Sequence, residues 1–61
     1  MRGRWVASPA SGGVYDLSYD SRPVAYDLDP EEVMAKVRRE GATEVTIEDD
    51  TGYPEIHLVP R

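Results

Sequence analysis

The sequence contains no cysteine, phenylalanine, asparagine or glutamine, and its one histidine is His57. Without cysteine there is neither a disulfide nor a thiolate metal site, and one histidine is too few for a nitrogen-rich zinc site. These absences matter in a chain of 61 residues, because a domain of that size buries only ~60% of the surface it exposes when unfolded. Small domains make up the deficit with disulfides, metals or partners. Only association is left open, and no cofactor is expected.

Long hydrophobic runs are missing as well. No apolar stretch approaches the ~20 residues of a membrane span, and Met1-Arg2-Gly3-Arg4-Trp5 leads into none of signal-peptide length. The expectation is a cytoplasmic protein with no membrane partner. Basic charge is scarce too: seven Lys and Arg stand against twelve Asp and Glu, a net charge of −5. Phosphate backbones are bound chiefly through Lys and Arg, so this balance argues against DNA or RNA as partner. A basic surface would have to be assembled from Arg2, Arg4, Arg22, Arg38 and Arg39. Six arginines to one lysine, with no Asn or Gln, is the bias of a GC-rich genome, such as that of an actinobacterium or one of its phages.

What is present predicts one α+β domain over residues 1–61, an antiparallel twisted sheet in the order β-β-β-α-β-β with one helix packed on one face. Arg4-Trp5-Val6-Ala7 is a short strand ended by Pro9-Ala10-Ser11-Gly12-Gly13. Residues 14–20 alternate, with Tyr15, Leu17 and Tyr19 on one face and Asp16, Ser18 and Asp20 on the other. After a turn at Asp20-Ser21-Arg22-Pro23, Val24, Tyr26 and Leu28 alternate with Ala25 and Asp27. The helix is predicted over residues 30–40. Asp29 is its N-cap, Pro30 suits its first position, Glu32 completes a capping box, Leu28 and Val33 can staple it, and Gly41 stops it. Its apolar stripe is narrow: Val33, Met34 and Val37. The closing hairpin pairs Glu44-Val45-Thr46-Ile47-Glu48 with Glu55-Ile56-His57-Leu58-Val59. It is expected to hold Val45, Ile47, Ile56 and Leu58 inward and His57 outward, with Pro54 before the last strand or on an edge. The expected core is Trp5, Tyr15, Leu17, Tyr19, Tyr26, Leu28, Val33, Met34, Val37, Val45, Ile47, Ile56 and Leu58.

In its order of elements, its early Trp5-Val6, its capped segment from Asp29 to Gly41, and its hairpin from Val45-Thr46-Ile47 through Gly52 to Ile56, the chain resembles a group of short bacterial and phage domains of unknown function. The resemblance implies this fold and carries no activity. The Tyr-Asp steps and Pro54 fall outside its pattern.

Catalytic patterns are few. Asp50-Thr51-Gly52 is the tripeptide of aspartic proteases, in which two such carboxylates share a proton, but Glu48 and Asp49 precede it and keep it charged and wet. A turn that uses Asp as a side-chain cap and Gly for positive φ explains it. The acidic clusters at 27–32 and 48–50 lack calcium-loop spacing. Gly12-Gly13 precedes a strand, so it forms no phosphate loop. His57 would have to support any triad alone. No catalytic, metal or cofactor residue is assigned, and the chain is not expected to be an enzyme.

Aromatic residues are the larger signal. Tyr15, Tyr19 and Tyr26 each precede an aspartate, Tyr53 follows the last turn and Trp5 opens the first strand. They can be core residues under the helix with their hydroxyls at the rim, or a contact patch of the kind interfaces favour. The narrow helix stripe leaves room for both. Trp5, Tyr15, Tyr19, Tyr26, Tyr53 and His57 are therefore the candidate partner-binding residues. The function expected is a non-enzymatic protein-interaction module, homodimeric or docking on a protein partner through a sheet edge or the aromatic-rich face. The alternative is an acidic mimic of phosphates that occupies a nucleic-acid-binding protein.

Overall fold

A computed structural model of the chain describes residues 3–60. The elements run β1 (Trp5–Pro9), β2 (Tyr15–Tyr19), β3 (Arg22–Leu28), α1 (Pro30–Arg39), β4 (Glu44–Glu48) and β5 (Pro54–Leu58). The α+β class and the single helix are as expected. The sheet, however, is mixed, in the order β3-β2-β1-β4-β5, with β1 and β4 parallel. The reason is the helix: a parallel neighbour needs a crossover connection, and α1 carries the chain from β3 at one edge past β2 and β1 to the far side of β1.

Alternation puts Ala7 of β1, Leu17 of β2 and Val45 of β4 on the side that α1 covers, where they pack with Val33 and Val37 of the helix and with Val59. Among the described residues these six make up the buried hydrophobic ones. Trp5, Tyr15, Ala25, Leu28, Met34, Ala42 and Ile47 surround them half-buried. The helix is fixed at both ends. The Asp29 carboxylate accepts from the Glu32 N–H at 2.8 Å and the Glu32 carboxylate from the Asp29 N–H at 3.1 Å, a complete capping box. At the C-terminus the Gly41 N–H donates to the Arg38 carbonyl and the Ala42 N–H to the Val37 carbonyl, which is the Schellman arrangement.

Two expected alternations fail. In β3 the register against β2 slips twice, between Tyr15 and Leu17 and between Leu17 and Ser18. The extra residues bring Ala25 and Leu28 to the core and leave Tyr26 62% and Val24 42% exposed. Asp27 adopts φ 58° at the slip, and its N–H reaches the Asp16 carboxylate at 3.4 Å. In β5 the error is a reversal: Ile56 and Leu58 are exposed, and His57 is half-buried on the helix side. Two of the three Tyr-Asp steps thus mark places where the backbone turns left-handed, since Asp20 also has positive φ, a conformation Asp tolerates better than most residues.

The β2–β3 turn has two residues, Asp20 at φ 52° and Ser21 at φ 67°, between the paired Tyr19 and Arg22. Both central residues of a type I′ turn need positive φ, which favours glycine at the second. Ser21→Gly is predicted to stabilise the fold by about 0.5–1 kcal/mol, raising the melting temperature by several degrees in a thermal scan. An unchanged or lower melting temperature contradicts the strain assigned to this turn.

Candidate functional site

The site begins with the loop between β4 and β5. Asp49 and Tyr53 face each other across three residues, Asp50, Thr51 and Gly52. The Asp49 N–H donates to the Tyr53 carbonyl at 3.1 Å and the Gly52 N–H to the Asp49 carbonyl at 2.9 Å. The Asp49 carboxylate gathers three donors: the Thr51 hydroxyl at 2.6 Å, the Thr51 N–H at 2.9 Å and the Tyr53 N–H at 2.9 Å. Gly52 takes φ 84°, as the last residue of a three-residue hairpin loop requires. The capping aspartate is Asp49, therefore, and the protease-like Asp50 lies in the exposed turn. The Thr51 hydroxyl, then the Tyr53 N–H, hold the Asp49 carboxyl below the usual carboxylate range.

This loop sets the register. Val45 lies opposite His57 and Ile47 opposite Glu55, so Glu55, His57 and Val59 share the helix side while Ile56 and Leu58 take the other side. Ile56 is 63% and Leu58 79% exposed. The ladder also fixes the backbone. The bonds at Asp49–Tyr53 and from the Val59 N–H to the Thr43 carbonyl mark the hydrogen-bonded pairs, which alternate with unbonded ones. Residues 55, 57 and 59 therefore direct their polar backbone at β4. Ile56 and Leu58 direct theirs outward, and β5 is an edge strand, so both residues offer a free N–H and a free C=O beside an exposed apolar side chain. The opposite edge is different: β3 carries Pro23, two register slips and a left-handed Asp27, all features that blunt an edge.

The six candidate residues separate into three places. Trp5 and Tyr19 are cross-strand neighbours with ring centroids 4.6 Å apart. They line a groove of about 510 Å³ with Gly3, Glu40, Gly41 and Ala42. The Tyr19 hydroxyl accepts from the Gly3 N–H at 2.9 Å, and a Cβ on Gly3 would come within 2.7 Å of the Tyr19 ring. Tyr15, Tyr53 and His57 meet at a second groove of about 310 Å³ beside Pro30, Ile47 and Asp49. Tyr26 stands apart on β3. Sequence reasoning missed Ile56 and Leu58 as surface residues, having placed them in the core.

The chemistry available is modest. His57 Nε2 lies 2.9 Å from Glu55 Oε1, and the Ser8 hydroxyl donates to Glu48 at 3.0 Å. Among the described residues no three metal-ligating side chains cluster, and no helix is long and apolar enough to cross a membrane. Of the candidate arginines, Arg2 lies outside the described residues. Arg4, Arg22, Arg38 and Arg39 are exposed at the starts of β1 and β3 and the end of α1. Comparison with protein-family models, curated proteins and solved structures finds no match to the chain.

A carboxyl whose pKa is lowered by folding stabilises the folded state above the unfolded pKa and loses that contribution as pH falls through the folded pKa. Asp49→Ala is accordingly predicted to lower the melting temperature at neutral pH, with the gap to the native chain shrinking as the solution is acidified. A gap that stays constant into the acid range contradicts the role given to the ionised Asp49.

Proposed function

We propose that the chain is a non-enzymatic, cytoplasmic protein-interaction module whose binding element is the free edge of β5. The observation that carries this is the coincidence, in Ile56 and Leu58, of unpaired backbone groups with exposed apolar side chains. An added strand would satisfy the backbone and cover the side chains together, which is how sheet augmentation gains both affinity and selectivity. The small buried core adds to the case, because a partner strand supplies the association that a domain without disulfide or metal lacks. The grooves at Trp5–Tyr19 and at Tyr15–Tyr53–His57 are secondary contact surfaces in this scheme. The second of them lies on the helix side of β5.

Phosphate mimicry competes with this reading. Asp16, Glu44 and Glu48 share the helix-free side of the sheet with Ile56 and Leu58. Binding driven by such carboxylates weakens steeply with salt, whereas binding along an apolar edge does not.

The test replaces the exposed pair. Ile56→Lys with Leu58→Lys changes only outward side chains, so stability is expected to stay within about 0.5 kcal/mol of the native chain. All association, with itself or with immobilised candidate proteins, is predicted to weaken by about 100-fold or more, the loss of two anchor residues. Association that survives the double substitution and collapses with added salt overturns the proposal in favour of the acidic face.

A further inference from the structure

We infer that the occupant of the β5 edge is a second copy of the chain, paired antiparallel about a two-fold axis at His57. This rests on the β5 edge being the binding element. It goes further by naming the partner and the register, and it follows from which residues occupy the outward positions.

Those positions are 54, 56 and 58, filled by Pro, Ile and Leu; the strand ends at Leu58, and Pro60 beyond it lines a groove with Pro30 and Met34 of the helix. Proline has no N–H to donate, so the edge has two complete bonding residues, bounded by Pro54 on one side and by the end of the strand on the other. When two such edges meet antiparallel with His57 opposite His57 of the other copy, Ile56 lies opposite Leu58 twice. Each of those pairs exchanges both of its hydrogen bonds. All four free N–H groups and all four free C=O groups of Ile56 and Leu58 are then mated, and the ladder ends at them. Shifting the register by two residues one way sets Pro54 against Leu58 and leaves two Leu58 carbonyls without donors; shifting it the other way carries Ile56 past the end of the partner strand at Leu58. A second copy offers the same two bonding residues in mirrored order, so the pairing uses every free group of both edges and leaves none over.

Side chains and charge agree with the arrangement. Ile56 and Leu58 of each copy cover each other on the helix-free side. On the helix side the Glu55–His57 pair of one copy lies beside that of the other, so each carboxylate has an imidazole diagonal to it as well as its own at 2.9 Å. The remaining sheet carboxylates stay apart. Glu44 and Glu48 are on β4, and the two β4 strands would lie about 14 Å from each other at ordinary strand spacing, beyond the Debye length of about 8 Å at physiological salt. Stacking the helix-free faces would instead bury Asp16, Glu44 and Glu48 against their copies. Because β3 is blunted by Pro23 and its register slips, the assembly closes as a two-fold dimer and does not extend into a fibre. The contact is short, so the dimer is weak and depends on concentration.

The absence of cysteine makes the register directly readable. In this pairing the two His57 residues form an unbonded cross-strand pair with Cα atoms about 4.5 Å apart, within disulfide reach. Single variants His57→Cys, Ile56→Cys and Glu55→Cys are oxidised under mild conditions and run on non-reducing gels, beside sedimentation of the native chain over a concentration series. The expected result is reversible dimerisation of the native chain, with covalent dimer at least tenfold faster in His57→Cys than in the other two. A native chain that stays monomeric up to about 1 mM, a concentration at which even feeble association registers, overturns the dimer. A dimer that links through Ile56→Cys or Glu55→Cys faster than through His57→Cys overturns the register. In either of these cases the β5 edge survives as a binding element if association with another protein is still abolished by Ile56→Lys with Leu58→Lys. If association is unaffected by that double variant, the β5 edge falls as the binding element as well.

Discussion

The three-residue loop closed by Asp49 and Gly52 is the constraint on which the surface depends. Side chains alternate strictly along a strand, so the loop length decides which half of β5 meets the core. With three residues between Asp49 and Tyr53, Val45 and His57 become partners, Val59 is drawn into the core, and Ile56 and Leu58 are turned to solvent. The Asp49 carboxylate holds that geometry with three hydrogen bonds. A loop of four residues would have reversed every one of these orientations.

The rest of the fold concentrates its irregularity at the other edge. The bulges of β3 and the left-handed Asp27 spoil that strand for pairing, while the capped helix covers the middle of the sheet through Val33 and Val37. What remains regular and uncovered is β5. The buried core is built mainly from valine, with Leu17 as its largest member. Trp5 and Tyr15 pack around it half-buried, so their rings serve as its rim. Core scarcity and an open edge are thus two sides of one arrangement: apolar residues that could have enlarged the core have been placed where a neighbour can reach them.

Much of this was legible in the residues. Asp29-Pro30-Glu31-Glu32 and Gly41 specify the helix through local hydrogen bonds, which depend little on the remainder of the chain, and the strands follow from alternation. The parallel β1–β4 pair was not legible, because alternation fixes which side of a strand is apolar and says nothing about its neighbour. The bulges in β3 were hidden by Val24, Tyr26 and Leu28, whose spacing is that of a regular strand. The hairpin register was hidden in the same way, since Val45, Ile47, Ile56 and Leu58 can all point inward only if the loop has an even number of residues. Asp49, Gly52 and Tyr53 carried the correction, as a side-chain cap, a left-handed residue and the far end of a three-residue loop. The Trp5–Tyr19 pair was visible as two aromatics, but not as neighbours, until β1 and β2 were aligned.

Amide hydrogen exchange resolved along β5 measures the free edge most directly. In dilute solution the amides of residues 55, 57 and 59, bonded to β4, should be protected, while those of Ile56 and Leu58 exchange at rates close to an unfolded chain's. Raising the protein concentration should slow Ile56 and Leu58 selectively as the edge is paired. Fast exchange of Ile56 and Leu58 at every concentration would contradict the self-pairing, and protection of these two in dilute solution with exposure of 55 and 57 would contradict the free edge itself.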